Sequence, residues 1–266
     1  MSTLPQTVRI ERLTWPLIRA FQEDCALLVL PLGATEQHGP ALPINTDTVI
    51  ADALCAAACE QAGVAMAPVM PYTSSAAHST KWPGTFSLTP KTFMDALVQY
   101  ANVGPPQQAG PSSISSMRMQ ATTQRCASPL IKIRLELMGQ LQVGYLNTFF
   151  IDEVIEAHFT EDATDLHANK GECDLMLHLA PETVDQSAMS SADDPDRTEG
   201  LVFSYPVSQT SLNGCTGAPS RGNADDGARL FAMMVKVLVA QLEAAKTERA
   251  PLPQSEWAGA PKGFYE

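Results

Sequence analysis

Basic residues are scarce: 17 lysines and arginines stand against 29 aspartates and glutamates, a net charge of −12 over 266 residues. Without a basic patch to neutralise phosphates, the composition argues against nucleic acid or anionic membrane surfaces as partners, and a small polar or cationic substrate is the more natural expectation. Long apolar runs are missing too. No segment approaches the roughly 18 consecutive apolar residues of a membrane span, and the N-terminus MSTLPQTVRIERL lacks a signal-peptide core, so a cytoplasmic location is expected. The six cysteines (Cys25, Cys55, Cys59, Cys126, Cys173 and Cys215) form no CxxC pair and sit mostly among apolar neighbours, which reads as reduced core thiols. Cys55 and Cys59 share a helix face, but a thiolate metal pair there is the lesser reading. A GxSxG elbow, a P-loop and a dinucleotide fingerprint are all absent, which disfavours a serine hydrolase and leaves no nucleotide site in view.

What is present is enough hydrophobic residue, 45% of the chain, for one sizeable α/β domain spanning residues 1–266. The organising stretch is Ala26 to Ala51, ALLVLPLGATEQHGPALPINTDTVIA. Its apolar run, Ala26 to Leu32, predicts a strand, and the Gly33-containing loop after it carries Glu36, His38 and Asp47 before an amphipathic pattern begins. A carboxylate, an imidazole and a second carboxylate suit a borderline divalent ion such as zinc or manganese. The plainer alternative is a surface loop in which Thr46 or Asp47 merely caps the helix bearing Val49, Ile50, Ala53, Leu54 and Ala57.

Along the chain, Leu13-Thr14-Trp15-Pro16 opens a short helix, Val64 to Met70 predicts a second strand, and the following loop carries His78, Lys81 and Trp82. Thr89-Pro90 starts a helix that buries Phe93, Met94, Leu97 and Val98. From Gly104 to about Leu130 the composition breaks: this Pro-, Ser- and Gln-rich stretch reads at face value as a disordered insertion, although the strand–helix–strand order demands a strand there. Gln142 to Phe150 predicts another strand, and Asp162 to Leu179 a loop plus helix with His167 before the helix and Glu172 in its first turns. His178 reads as a core histidine, and Ser190 to Glu199 as an acidic solvated loop. A terminal amphipathic helix covers Ala228 to Ala245.

Several of these stretches together carry a resemblance. Leu30 to Asp47, HSTKWPGTFSL from His78, DLHANKGECDLMLHLAPE from Asp165 and NGCTGAPSRGNADDG from Asn213 are similar, in order, to the motifs of the creatininase (creatinine amidohydrolase) family. The first looks like that family's PxGSxEQHGPHLPLxTD signature. The resemblance implies a three-layer α/β/α sandwich around a mainly parallel sheet, with a dinuclear metal site at the carboxyl ends of its strands. It implies Glu36, His38, Asp47 and Glu172 as ligands of two divalent ions, zinc and/or manganese with iron also suited. His167 becomes the candidate proton shuttle, and His78 and Trp82 line or brace the pocket. The implied reaction is hydrolysis of a cyclic or small linear amide by a hydroxide between the ions, in a homo-oligomer, often a hexamer. A catalytically inactive subunit for binding or assembly, and a mononuclear metal protein using only Glu36, His38, Asp47 and Glu172, are the rival readings.

Three departures qualify the likeness. Ala41 stands where family members often have a second histidine, and Cys173-Asp174 replaces the usual Thr-Ser. No histidine lies between His78 and His158, where the family carries an NGHGGN-like loop that supplies a ligand; Arg118 and Met119 stand there instead, and neither replaces an imidazole. Back-translation offers an account. Ser116 to Thr123 can be written TCA ATG CGC ATG CAG GCA ACA ACG, and starting two bases later gives Asn-Ala-His-Ala-Gly-Asn-Asn. A frameshift within residues 104–130, compensated between Leu130 and Ile133, would restore both the motif and an apolar strand ahead of it.

Overall fold

The computed structural model describes residues 7–78, 81–103, 115–121, 133–134 and 141–258, with 102–103 and 115–121 described as backbone alone. Strand β1 (Leu28–Leu32) lies at the centre of the sheet, parallel to β2 (Ala65–Met66) on one side and to β3 (Ser115–Ala121) on the other, with β4 (Leu141–Gln142) beyond β3. Pro31 interrupts the strand's donors without breaking it. Its carbonyl accepts from Met70 N–H on the β2 side, so its missing N–H falls where the β2 ladder has already ended.

Alternate residues of β1 enter two cores. Val29 joins Met66 and the helices α2 (Thr46–Ala62), α5 (Lys170–Leu179) and α6 (Ala224–Thr247), whereas Leu30 and Leu32 pack against Phe93, Leu97, Val98 and Ala101 of α3 (Pro90–Val103). The protein is thus an α/β fold with helices on both faces of a parallel sheet, as expected. Helix α1 (Trp15–Asp24) buries only Phe21, and α4 (Glu153–Phe159) stacks Phe159 on Phe149 with ring centroids 4.0 Å apart. Among the described residues, no helix is long and apolar enough to cross a membrane.

The strand order β2-β1-β3 means that the chain leaves β1 toward one side and returns on the other. The crevice beyond the carboxyl ends of β1 and β3 is therefore a topological switch point, where α/β sheets place their ligands. Ala121 pairs with Leu32, so β3 ends beside the loop that carries Glu36 and His38.

Some expectations change. Between 104 and 130, a strand over Ser115–Ala121 replaces the unstructured reading; the remainder of that segment, with Cys126, lies outside the described residues. The strand expected over Gln142 to Phe150 stops at Gln142. Asn147 instead accepts from Phe149 N–H and caps a 3-10 turn, Thr148–Phe150, because its side-chain oxygen offers the backbone a local partner in place of a ladder. Residues 190–199 are not merely solvated. Asp194 is buried, and it accepts from the Ser211 hydroxyl, Leu212 N–H and Arg197. His178 is exposed beside Phe231 rather than in the core.

Candidate metal centre

The loop from Gly33 to Asn45 is shaped by two backbone demands. A Cβ at Gly33 would sit 2.6 Å from Thr48 Cα, so only glycine lets the loop leave β1 this close to α2. Glu36 N–H then donates to Ile44 O, and His38 bridges Leu42, folding the loop back on itself. Asn45, not Thr46 or Asp47, is the N-cap residue of α2, and its side chain makes no capping bond. Asp47 therefore does not serve as the cap. It turns from the first turn of α2 toward His38, with Oδ1 3.5 Å from Nε2.

His38 is oriented from behind. Its Nδ1–H donates to Glu36 O at 3.1 Å, which directs Nε2 at Glu172 Oε1 (3.4 Å) and Asp47 Oδ1 (3.5 Å). A backbone carbonyl holding the rear nitrogen of a metal-binding imidazole is the usual second half of such a site. Glu172 is fixed as firmly. Asn169 caps α5 by accepting from Glu172 N–H, and Glu172 Oε2 accepts from Ala168 N–H at 2.6 Å. Ala168 itself adopts φ +51°, a backbone state costly for a residue with a Cβ and kept here beside the site.

Burial of these charges reshapes their titration. Burial and the charge of Asp47 push the Glu36 carboxyl up to about 8. Burial raises Asp47 as well. Burial works against a charged His38, but the carboxylates of Asp47 and Glu172 overcome it and hold the ring well above the usual imidazole range. Glu172 goes the other way: burial would raise it, and His38 more than compensates. A cluster of this kind asks for a cation at its centre. Asp47 Oδ2 is buried with no hydrogen-bond partner among the described residues, an acceptor that a cation would satisfy, and the imidazole–carboxylate donor set fits a divalent metal.

Two groups of donor atoms lie within 4.8 Å of one another: His38, Asp47 and Glu172, and Glu36, His38 and His167. One imidazole nitrogen has one lone pair to give. His38 can therefore complete only the first group, leaving Glu36 and His167 as a half-site among the described residues.

His167 lies 4.4 Å from the His38 ring and 4.2 Å from the His78 ring, centroid to centroid. Its Nδ1 is 4.0 Å from Glu36 Oε1, and His78 Nε2 is 3.8 Å from the same oxygen. Burial, reinforced by the neighbouring histidines, keeps the His167 ring well below the usual imidazole range and hence neutral. The structure thus brings Glu36, His38, Asp47, His78, His167 and Glu172 together. Trp82 is not among the residues lining the cavity; its indole face meets the Lys81 ammonium, 4.7 Å from the centroid, and that ammonium also donates to Ser211 O. The cavity, about 140 Å³, is walled instead by Ser74, Ser75, Asn147, Phe149, Phe150 and Tyr205, none of which sequence reasoning singled out.

Of the departures from the family's motifs, Ala41 packs into the core, and Asp174 brings a buried charge to α5. Lys170 Nζ (2.8 Å) and His158 Nε2 (2.7 Å) meet that charge, and Asn223 N–H donates to its other oxygen.

A buried carboxylate–imidazole cluster suited to a divalent ion thus stands at the switch point of a parallel α/β sheet. The sequence profile of the creatininase family, described as creatinine amidohydrolase, matches residues 11–109 and 112–242, and the chain belongs to that family, whose members are metal-dependent amidohydrolases. The mycofactocin precursor peptide peptidase of Mycolicibacterium smegmatis is 28% identical over 218 residues, covering 79% of this chain and 81% of that protein. Among solved structures, a mutant creatininase of zinc–zinc type shares the fold with a TM-score of 0.73 at 21% identity, covering 92% of this chain and all (100%) of that one. A manganese creatininase also has a TM-score of 0.73, at 20% identity, over 91% of this chain and 100% of its own.

Proposed function

We propose that the protein hydrolyses a cyclic or small linear amide in the cavity beside His38, Asp47 and Glu172, using zinc or manganese. The observation that carries this reading is the unpartnered, buried Asp47 Oδ2 next to two further donors that are each oriented by backbone. His38 Nε2, Asp47 and Glu172 Oε1 would hold one ion, and Glu36 offers a carboxylate to a second position. Bound divalent ions supply an acidified water and polarise a carbonyl oxygen. His167, neutral and with Nδ1 turned toward Glu36, is placed to take a proton and return it to the departing nitrogen. Phe149, Phe150 and Tyr205 supply the apolar part of the same cavity's wall. At about 140 Å³ the cavity accommodates an amide and a small flanking group rather than a folded chain. The peptide substrate named for the mycobacterial relative favours a linear amide over a cyclic one. A homo-oligomer in the cytoplasm is the expected setting.

A second reading has its own observation, the sharing of His38 between the two donor groups, which favours a single ion. Metal stoichiometry after chelation and refilling, with hydrolysis of short peptides and creatinine measured on the same samples, separates the two. About two ions with turnover support the dinuclear amidohydrolase, and one ion supports the mononuclear form. No bound metal in a stably folded protein would overturn both and leave a binding or assembly subunit.

A further inference from the structure

Gln37 lies between two candidate ligands, yet its side chain points behind them, buried under the rings of His78 and His167. The direction of its amide is fixed by its neighbours. Gly39 N–H donates to Oε1 at 3.0 Å, and Nε2–H donates to Gly214 O at 3.1 Å; a flipped amide would set donor against donor at one end and acceptor against acceptor at the other. The second Nε2–H has two ring nitrogens in reach, His167 Nε2 at 3.1 Å and His78 Nδ1 at 3.4 Å. His167 Nε2 lies 2.7 Å from the backbone oxygen of Gln37, which can only accept. That nitrogen is therefore protonated and has no lone pair for the amide, so the remaining N–H goes to His78 Nδ1.

We propose that Gln37 is the positioning residue of the site: its backbone carbonyl holds His167 with Nε2 protonated, and its side-chain amide holds His78 with Nδ1 as acceptor. Both rings then have the same tautomer but present opposite faces to Glu36 Oε1. His167 offers a bare Nδ1 at 4.0 Å, and His78 offers Nε2–H at 3.8 Å. One residue thus places a proton acceptor, His167 Nδ1, beside a hydrogen-bond donor, His78 Nε2–H, so the cavity can take a proton at one ring while the other holds an oxygen by its N–H without ionising. Gly214 makes the arrangement possible. It adopts φ +89°, and a Cβ there would lie 2.1 Å from Gln37 Oε1. Its N–H is held by the Ser211 hydroxyl at 2.9 Å, and Ser211 donates on to buried Asp194, so the wall behind the amide is braced. The use of the pair rests on the amidohydrolase reading; the tautomers themselves do not.

The test is nitrogen NMR of the imidazole rings in 15N-histidine-labelled, metal-free protein at alkaline pH, with His78 and His167 assigned from single-histidine variants. The wild-type protein is expected to show a pyridine-type Nδ1 on both rings. In Gln37→Glu the side chain can only accept, so His78 is expected to switch to the Nδ1–H tautomer while His167, held by the backbone, stays unchanged. An unchanged His78 in Q37E would overturn the proposal, as would a wild-type His78 already protonated at Nδ1; the latter decides the matter if Q37E does not fold. In the hydrolysis assay Q37E is expected to lower kcat about ten- to hundredfold with the same bound-metal count. Absence of turnover in the wild-type protein would overturn the amidohydrolase reading alone, because the ring spectra do not depend on it.

Discussion

Without metal, the protein is expected to lose folding stability between pH 6.5 and pH 8, about 2 kcal/mol of it through Glu36, with His38 adding to the loss. Two groups carry the loss. Glu36 moves from 4.5 to about 8 through burial and the charge of Asp47, and His38 is held well above 6.5 by Asp47 and Glu172 in spite of its burial. Each has a folded pKa above its unfolded one, so its contribution is complete below the unfolded value and disappears as pH rises through the folded value. From pH 6.5 until close to 8 the folded Glu36 keeps a proton that the unfolded carboxyl has already released, at about 1.4 kcal/mol per pH unit, and His38 adds to the loss as the unfolded ring gives up its proton around 6.5. Below pH 6.5 His167 has the opposite sign, since the unfolded ring takes up a proton that the buried ring refuses. There it offsets the loss through Glu36, which begins at the unfolded value of 4.5, so the steepest fall lies above pH 6.5. Urea midpoints across this range in the presence of a chelator measure it. Saturating zinc is expected to flatten the profile, because the ion replaces the protons, and Glu36→Gln to make it shallower. A metal-free wild-type protein whose stability is level or rising from pH 6.5 to 8 would refute the reasoning.

Three further outcomes are expected. Replacing His167 by alanine should lower kcat by about 10²–10⁴-fold while zinc calorimetry on the His38, Asp47 and Glu172 group stays near wild type. Asp174→Ala leaves Lys170 without its closest buried partner and should cost about 3 kcal/mol in thermal or urea unfolding, the low end for a broken buried pair because Asp226 still lies 3.3 Å from the ammonium. Mass spectrometry of a tryptic digest of the natural protein reads residues 104–130 directly. The peptide Met119 to Arg125, MQATTQR, is expected from the chain as written, and a peptide containing Asn-Ala-His-Ala-Gly-Asn-Asn would establish the frameshift and return the missing imidazole.

The site was legible where chemistry and chain run together. Glu36, His38 and Asp47 follow one strand within a single continuous motif, and His167 precedes Glu172 by one turn of loop and helix, so the residues that meet in space were already grouped in sequence. The walls of the cavity were not. Phe149 and Phe150 belong to an apolar run that has the composition of a strand, and nothing local distinguishes a strand from a short turn capped by Asn147. Asp194 reads as solvated because it stands in an acidic run, and such runs are usually exposed; its partners Ser211 and Leu212 come from a segment with no local link to it. Gln37 stood inside the quoted motif without a role, since an amide's purpose is visible only when both of its ends have been traced.

His38 and Glu172 are 134 positions apart, and an ion held between them would close that length of chain into a ring. Such a closure stabilises only the state in which both ends are already folded, so metal affinity would be a measure of the integrity of the whole domain and not of one loop. The segment 104–130 lies inside the ring. Because the entropy of closing a flexible chain grows only with the logarithm of its length, about 0.6 kcal/mol for each doubling, the length of that segment can vary at little cost to the closure, and it is the identity of the residues it delivers beside Leu32 that matters.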